Sequence, residues 1–118
     1  MKKIILAAAA LLMLASCAPK KAEGPLRLNC LVTVAPENRE AVIALCKELV
    51  ASSLADEGNI AYDLYLSTTD PAKMLIFETW KDQESLDKHS AAEHFTRLVP
   101  QIQALGTLEV ESFKLSVK

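Results

Sequence analysis

The chain has 118 residues, 51% of them apolar, and its 13 Lys and Arg against 15 Asp and Glu give a formal net charge of −2. From Leu26 onward nine basic residues face fourteen acidic ones, so the folded part offers no basic stripe for nucleic acid and no attraction for anionic headgroups. Three cysteines and two histidines show none of the spacings of a metal site, and none is expected.

The N-terminus reads Met1-Lys2-Lys3, then an unbroken apolar run over residues 4–15, then Ser16 and Cys17. This is the order of a charged n-region, an apolar h-region and a small-residue cleavage site. The run has twelve residues, short of the roughly 20 that cross a bilayer. Leu14-Ala15-Ser16-Cys17 resembles the lipobox of bacterial lipoproteins, which implies cleavage before Cys17 and acylation of its thiol. An ordinary signal peptide with a chance cysteine is the alternative. Residues 1–16 are thus expected to be a secretion signal, and the mature chain a lipid-anchored protein of the cell envelope. Ala18 leaves the choice of inner or outer membrane open. Residues 17–25, with two prolines, a glycine and three charges after the cysteine, read as a flexible tether. Residues 26–118 are then one domain.

Residues 26–34 are apolar or β-branched on both faces, which predicts a strand in a sheet covered on both sides. From Pro36 the period changes. Ala41, Val42, Leu45, Cys46, Leu49 and Val50 recur at helical spacing, with Pro36 suited to the first turn and Gly58 to the stop. Residues 60–67 and 74–81 are two further strands, joined through Asp70-Pro71 as a hairpin. Asp82 is a candidate N-cap for a short helix to about Lys88, and Ser90-Ala91-Ala92-Glu93 has the spacing of a capping box for a second. That helix should run to about Leu105, with Pro100 kinking it or ending its regular part. Residues 107–117 form the last strand, whose apolar alternation slips at Ser112 and predicts a bulge or a change of partner.

Strand, helix, strand, strand, helix, strand is the plan of a ferredoxin-like α+β fold, a four-stranded antiparallel sheet with both helices on one face. Leu28, Cys30, Val32 and Val34 suggest that the second face is apolar too, so a homodimer through the sheet faces is expected. Cys46 falls in the helix stripe and Cys30 in a strand, where packed free thiols are the plain reading. An exported protein also permits a disulfide.

Five side chains could line the space between sheet and helices. Glu78 and Trp80 share one face of their strand, and Tyr62 shares a face with Leu64 on the neighbour. His89, at the junction of the helical pieces, could move a proton near neutral pH, or could simply tie that junction to the sheet. His94, one turn into the next helix, has a packing role as its alternative. A buried Glu78 needs a partner, and a neighbouring Lys or Arg would serve.

The segments Glu57-Gly58-Asn59-Ile60-Ala61-Tyr62-Asp63 and Phe77-Glu78-Thr79-Trp80, then His89 and His94-Phe95, resemble the antibiotic biosynthesis monooxygenase family over residues 26–118. The resemblance implies a dimeric α+β barrel and, for the quinol-type members, an oxygenase needing no cofactor. On this chain it implies His89 as the base, oriented by Glu78, with Trp80 and Tyr62 packing a small aromatic or quinol-like ligand. Asn59 or Asn29 would donate to the substrate oxygen, and His94 would sit at the pocket. Asn29 also resembles a catalytic asparagine of haem-degrading relatives, but the rest of their pattern is missing. No glycine-rich dinucleotide or phosphate loop appears. Two other readings stay open: an isomerase of a small carbonyl compound, and a lipid-tethered binding module without turnover.

Overall fold

A computed structural model describes residues 24–116. The secretion signal, Cys17 and most of the tether fall on residues 1–23 and lie outside the described residues. Among the described residues no helix is long and apolar enough to cross a membrane.

Strand β1 (Leu26–Val34) alternates strictly: Leu26, Cys30, Val32 and Val34 are buried, and Leu28 packs beside them. A 3₁₀ turn at Pro36–Asn38 leads into helix α1 (Arg39–Ser53), which buries Val42, Ile43, Cys46, Leu49 and Ser53. The stripe is rotated slightly from the expected one, because Ile43 turns inward and Ala41 outward. Strands β2 (Asn59–Leu66) and β3 (Lys73–Trp80) form the predicted hairpin. In its turn, Asp70 Oδ1 accepts from the Ala72 amide at 2.9 Å. Helix α2 (Gln83–Ala91) starts on Asp82, whose side chain accepts from the Ser85 amide at 2.8 Å, satisfying an otherwise orphan donor. Helix α3 (Glu93–Leu105) and strand β4 (Gly106–Lys114) complete the domain.

All strand pairs are antiparallel, in the order β2-β3-β1-β4. This is the ferredoxin-like α+β fold. Residues paired across the ladders share a face, so Leu28, Cys30, Val32 and Val34 stand with Met74, Ile76, Glu78 and Trp80. Val42, Cys46 and Leu49 of α1 and Leu98 and Ile102 of α3 close over them as one core.

That parity corrects the sequence reading of the second face. Leu28, Cys30, Val32 and Val34 look toward the helices, and the open face instead shows Arg27, Asn29, Leu31 and Thr33 of β1. Leu75 and Phe77 stand beside them on β3. The open face is therefore mixed: the Arg27 guanidinium lies 4.4 Å over the Phe77 ring, and Tyr65 meets that ring edge-on at 6.1 Å.

Two local expectations also change. β4 keeps one register with β1 from Gly106 to Lys114, with no bulge at Ser112; the irregularity lies in β2, between Asn59 and Ala61. The apolar slip in β4 arises because Leu108 faces the helices and Phe113 the open face, in a strand whose second half is exposed. Ser90 is no cap, because α2 runs past it and its hydroxyl donates to the Leu86 carbonyl at 3.0 Å. Helix α3 runs to Leu105, as expected, with Pro100 inside it and not ending it. Cys30 and Cys46 are buried free thiols, and burial, the larger cause for each, pushes both pKa values up to about 11.

Candidate active site

The loop after α1, the end of β3, the last turn of α2 and the first turn of α3 converge on His89. Its side chain has no solvent exposure, and Nδ1 lies 2.7 Å from Asp56 Oδ2. An ionised carboxylate only accepts, so Nδ1 carries the proton and donates it, which leaves the lone pair on Nε2. That atom is buried and has no hydrogen-bond partner among the described residues. Around the His89 ring stand Trp80, at 4.5 Å with planes tilted by 36°, Phe95 at 5.1 Å and Tyr62 at 5.5 Å, all between ring centroids. Burial pushes the pKa of His89 below its ordinary value, against a smaller upward pull from Asp56. The ring is thus held neutral, in one tautomer, with its basic atom in an apolar surround.

The sequence explains how Asp56 reaches that place. Gly58 takes φ +79°, in the left-handed region that glycine enters without steric cost. A Cβ there would collide with the Ser85 side chain. The loop is consequently pressed onto the first turn of α2, and the Gly58 carbonyl accepts from the Lys81 amide at 2.8 Å. Asp56 then faces the far end of the same helix. His94 Nε2 donates to the same Asp56 Oδ2 at 2.8 Å, so one carboxylate oxygen receives both imidazoles.

The expected partner of His89 was Glu78, and the structure assigns that place to Asp56. Glu78 Oε1 instead accepts from Trp80 Nε1 at 2.9 Å, with both residues buried. The bond fixes the indole plane against His89. Desolvation raises the pKa of Glu78, and the Trp80 and Tyr62 hydrogen bonds pull it back. Neither a lysine nor an arginine is the partner; an indole N–H satisfies the carboxyl without importing a second charge. Tyr62 sits opposite Glu78 in the ladder and meets Trp80 edge-on, with centroids 6.3 Å apart. Burial drives its hydroxyl pKa well above the ordinary range.

Of the other residues singled out, Asn59 lies beside Trp80 in register, and its Nδ2 donates to the Ala61 carbonyl at 3.1 Å, bracing the β2 irregularity. Asn29 is not part of the cluster. It belongs to the open face, paired with Phe77 and Glu111, so the sheet separates it from His89. Its Oδ1 is buried there without a partner. The sequence reading missed Asp56, although the residue adjoins the quoted Glu57-Gly58 segment; an acidic residue two places before a glycine in the left-handed region was the available signal. It also named no metal ligands, whereas the fold brings donor atoms of Asp56, His89 and His94 within 4.8 Å of one another. A separate groove of about 430 Å³ between α1 and β2 is lined by Arg39, Ile43, Lys47, Val50, Asp63 and Leu64, with none of the His89 cluster in it.

The fold and the site define a small ferredoxin-like α+β domain with a buried imidazole held by a carboxylate and packed among aromatic rings. Residues 25–101 match the model of the antibiotic biosynthesis monooxygenase family, and the chain belongs to that family. It is similar to YcnE of Bacillus subtilis strain 168, which bears a provisional monooxygenase name, with 33% identity over 91 residues, 75% of this chain and 96% of that protein. A solved structure of a Bacteroides thetaiotaomicron protein of unknown function is 41% identical, with TM-score 0.78 over 80% of this chain and 100% of the other. A crystal structure of an antibiotic biosynthesis monooxygenase superposes with TM-score 0.70 at 33% identity, over 79% of this chain and 98% of that one.

Proposed function

We propose that the protein is a monooxygenase of small quinol or phenolic substrates that needs no cofactor, with His89 Nε2 as the base. The observation that carries this reading is the lone pair of a buried, neutral imidazole, unpartnered, with its other nitrogen held by Asp56 at 2.7 Å. A carboxylate in this position fixes the tautomer and stabilises the imidazolium as it forms.

The substrate hydroxyl gives its proton to Nε2, and the resulting anion transfers an electron to dioxygen. The two radicals join in a carbon–oxygen bond, and the peroxide takes back the proton held on His89 Nε2 to become a hydroperoxide. Loss of water from the hydroperoxide leaves one oxygen atom on the ring, so the second atom departs as water and no external reductant is consumed. Trp80 and Tyr62 supply the flat apolar walls that an aromatic ring requires. Among the rings on His89, Trp80 and Tyr62 are buried while His94 and Phe95 are only partly so. The substrate's route therefore runs past the first turn of α3, with Phe95 moving aside.

The domain works as a homodimer and on a membrane. The dimer reading rests on the open sheet face, where Leu31, Leu75, Phe77 and Tyr65 gather and no other described element covers them. The membrane reading rests on Leu14-Ala15-Ser16-Cys17 after a charged and apolar leader, and it sets the enzyme beside membrane quinols. Cys17→Ala should release the protein from the membrane fraction, and Phe77→Glu should shift it to a monomer in light scattering; no change in either case removes that element.

Incubation of the metal-stripped protein with a panel of quinols under ¹⁸O₂ tests the activity. A product carrying a single labelled atom is expected, and unlabelled product or none overturns the assignment.

A further inference from the structure

The cluster that orients the base has a second property. Asp56 Oδ2, His89 Nδ1 and His94 Nε2 come from three different elements, and these atoms all lie within 4.8 Å of one another. Two neutral imidazoles and one carboxylate are a donor set suited to zinc and its neighbours in the first transition row. We propose that Asp56, His89 and His94 form a binding site for a divalent transition-metal cation, and that the bound cation silences the base.

The geometry is close to that of a loaded site. Both nitrogens stand at 2.7 and 2.8 Å from the shared oxygen. Ligands at ~2.0–2.2 Å lie about 2.8–3.1 Å from each other around an octahedral ion and about 3.3–3.6 Å around a tetrahedral one, so the two contacts open by at most about 0.9 Å, and the two nitrogens already lie within 4.8 Å of each other. Helix α2 is anchored by its Asp82 cap, and the Asp56 loop by Gly58 against Ser85. Two of the ligands keep a solvent-facing side: the side chains of His94 and Asp56 are 16% and 19% exposed, whereas His89 is fully covered. A cation enters from that side, and water completes its coordination there, as in sites with three protein ligands.

The functional consequence follows from imidazole chemistry and rests on the role proposed for His89. A neutral ring has one proton. With hydrogen bonding to Asp56 the proton sits on Nδ1 and Nε2 is free to accept; with a cation on Nδ1 the proton must sit on Nε2, which then donates and cannot act as a base. His94 changes tautomer in the same way, from Nε2–H to Nδ1–H. Metal binding and proton abstraction are therefore mutually exclusive at His89, with no change of fold required.

The test is a titration of the full-length, chelator-treated protein with Co²⁺, followed by visible absorption and by NMR of the histidine ring protons. The proposal expects one ion per chain, the visible bands of a four- or five-coordinate ion, and strongly shifted signals from His89 and His94. His94→Ala and Asp56→Ala should each weaken binding by at least ~100-fold, the upper end of what the loss of an outer-shell partner costs. If either variant misfolds, the ring-proton shifts in the wild-type protein decide. Binding that is equally weak in wild type and variants, or that leaves both histidines unshifted, overturns the site and leaves the three groups as a hydrogen-bonded tie.

The silencing is read separately, as oxygen uptake with and without one equivalent of Zn²⁺. Inhibition reversed by EDTA supports it; one bound ion with undiminished uptake overturns it. Failure of the metal-free protein to consume oxygen with any quinol would refute the proposed activity, while the cobalt titration would still decide the metal site.

Discussion

The carboxylate of Asp56 meets Nδ1 of His89 at 2.7 Å across 33 positions of sequence. It is this contact that makes Nε2 the free nitrogen, on a ring that packs against Trp80. Replacing Asp56 with Asn keeps the shape, but it lets an amide N–H face Nδ1 and favours the opposite tautomer. Turnover in Asp56→Asn should fall at least ~100-fold, the lower end of what general-base catalysis contributes, with the circular dichroism spectrum unchanged. Undiminished turnover would remove Asp56 from the mechanism.

The pH dependence has a definite sign. The base works only when neutral, and burial, the largest cause, pushes the pKa of His89 below its ordinary 6.5. The acid limb of kcat/KM in the metal-free enzyme should therefore lie below pH 6.5, and activity should persist at pH values where a free imidazole is already protonated. Asp56 pulls that pKa upward, so Asp56→Asn should move the limb lower still. A limb at or above pH 7 would contradict the assignment.

Glu78 titrates the other way. Desolvation raises its folded pKa above 4.5, so the folded state binds this proton more tightly than the unfolded one. A penalty then grows as pH rises from about 4.5 through the folded value, and it is absent in more acid solution where both states are protonated. Glu78→Gln retains an oxygen for the Trp80 indole and should raise the denaturation midpoint at pH 8, with the gain vanishing near pH 4. Urea melts of both proteins at the two pH values would show it.

Gly58 is expected to be costly to replace. In Gly58→Ala the new methyl meets Ser85 while the backbone stays at φ +79°. A non-glycine residue held in this region loses about 1–3 kcal/mol. The double variant Gly58→Ala/Ser85→Gly should recover the part due to the collision and not the part due to the backbone. Oxygen uptake should follow stability, because the same loop carries Asp56.

Cys30 and Cys46 should resist alkylation. With both pKa values pushed up to about 11, neither forms the reactive thiolate at pH 8. Iodoacetamide should add to neither in the native protein and to both in urea, read as a mass increase on the peptides that contain them. Native labelling would place one of them at a surface.

Much of the fold was legible because it rests on period and punctuation. The even positions of β1, the helical spacing from Val42 to Leu49, the Asp70-Pro71 turn and the Asp82 cap are local signals, and each lies where its chemistry requires. Which apolar set covers which side of the sheet was misread, since β1 is apolar at Leu31 as well as at Cys30 and Val32, and only the ladder parity separates them. The site was legible as residue types and not as pairs. Glu78 was matched to His89 because both belong to the same motifs, yet Glu78 is satisfied two residues away by Trp80. Asp56 is delivered to His89 by the turn at Gly58, a tertiary consequence of one glycine's backbone. Ser90 shows the reverse error, a local signal overridden when α2 extended past it.

His89 is assigned the removal of a proton from a phenolic substrate. That role is tested most directly by oxygen uptake of the metal-free protein with a quinol panel, wild type beside His89→Ala. Substrate-dependent uptake of one dioxygen per quinol is expected, reduced at least ~100-fold in the variant. Uptake no faster than autoxidation, or the same rate in both proteins, would contradict it.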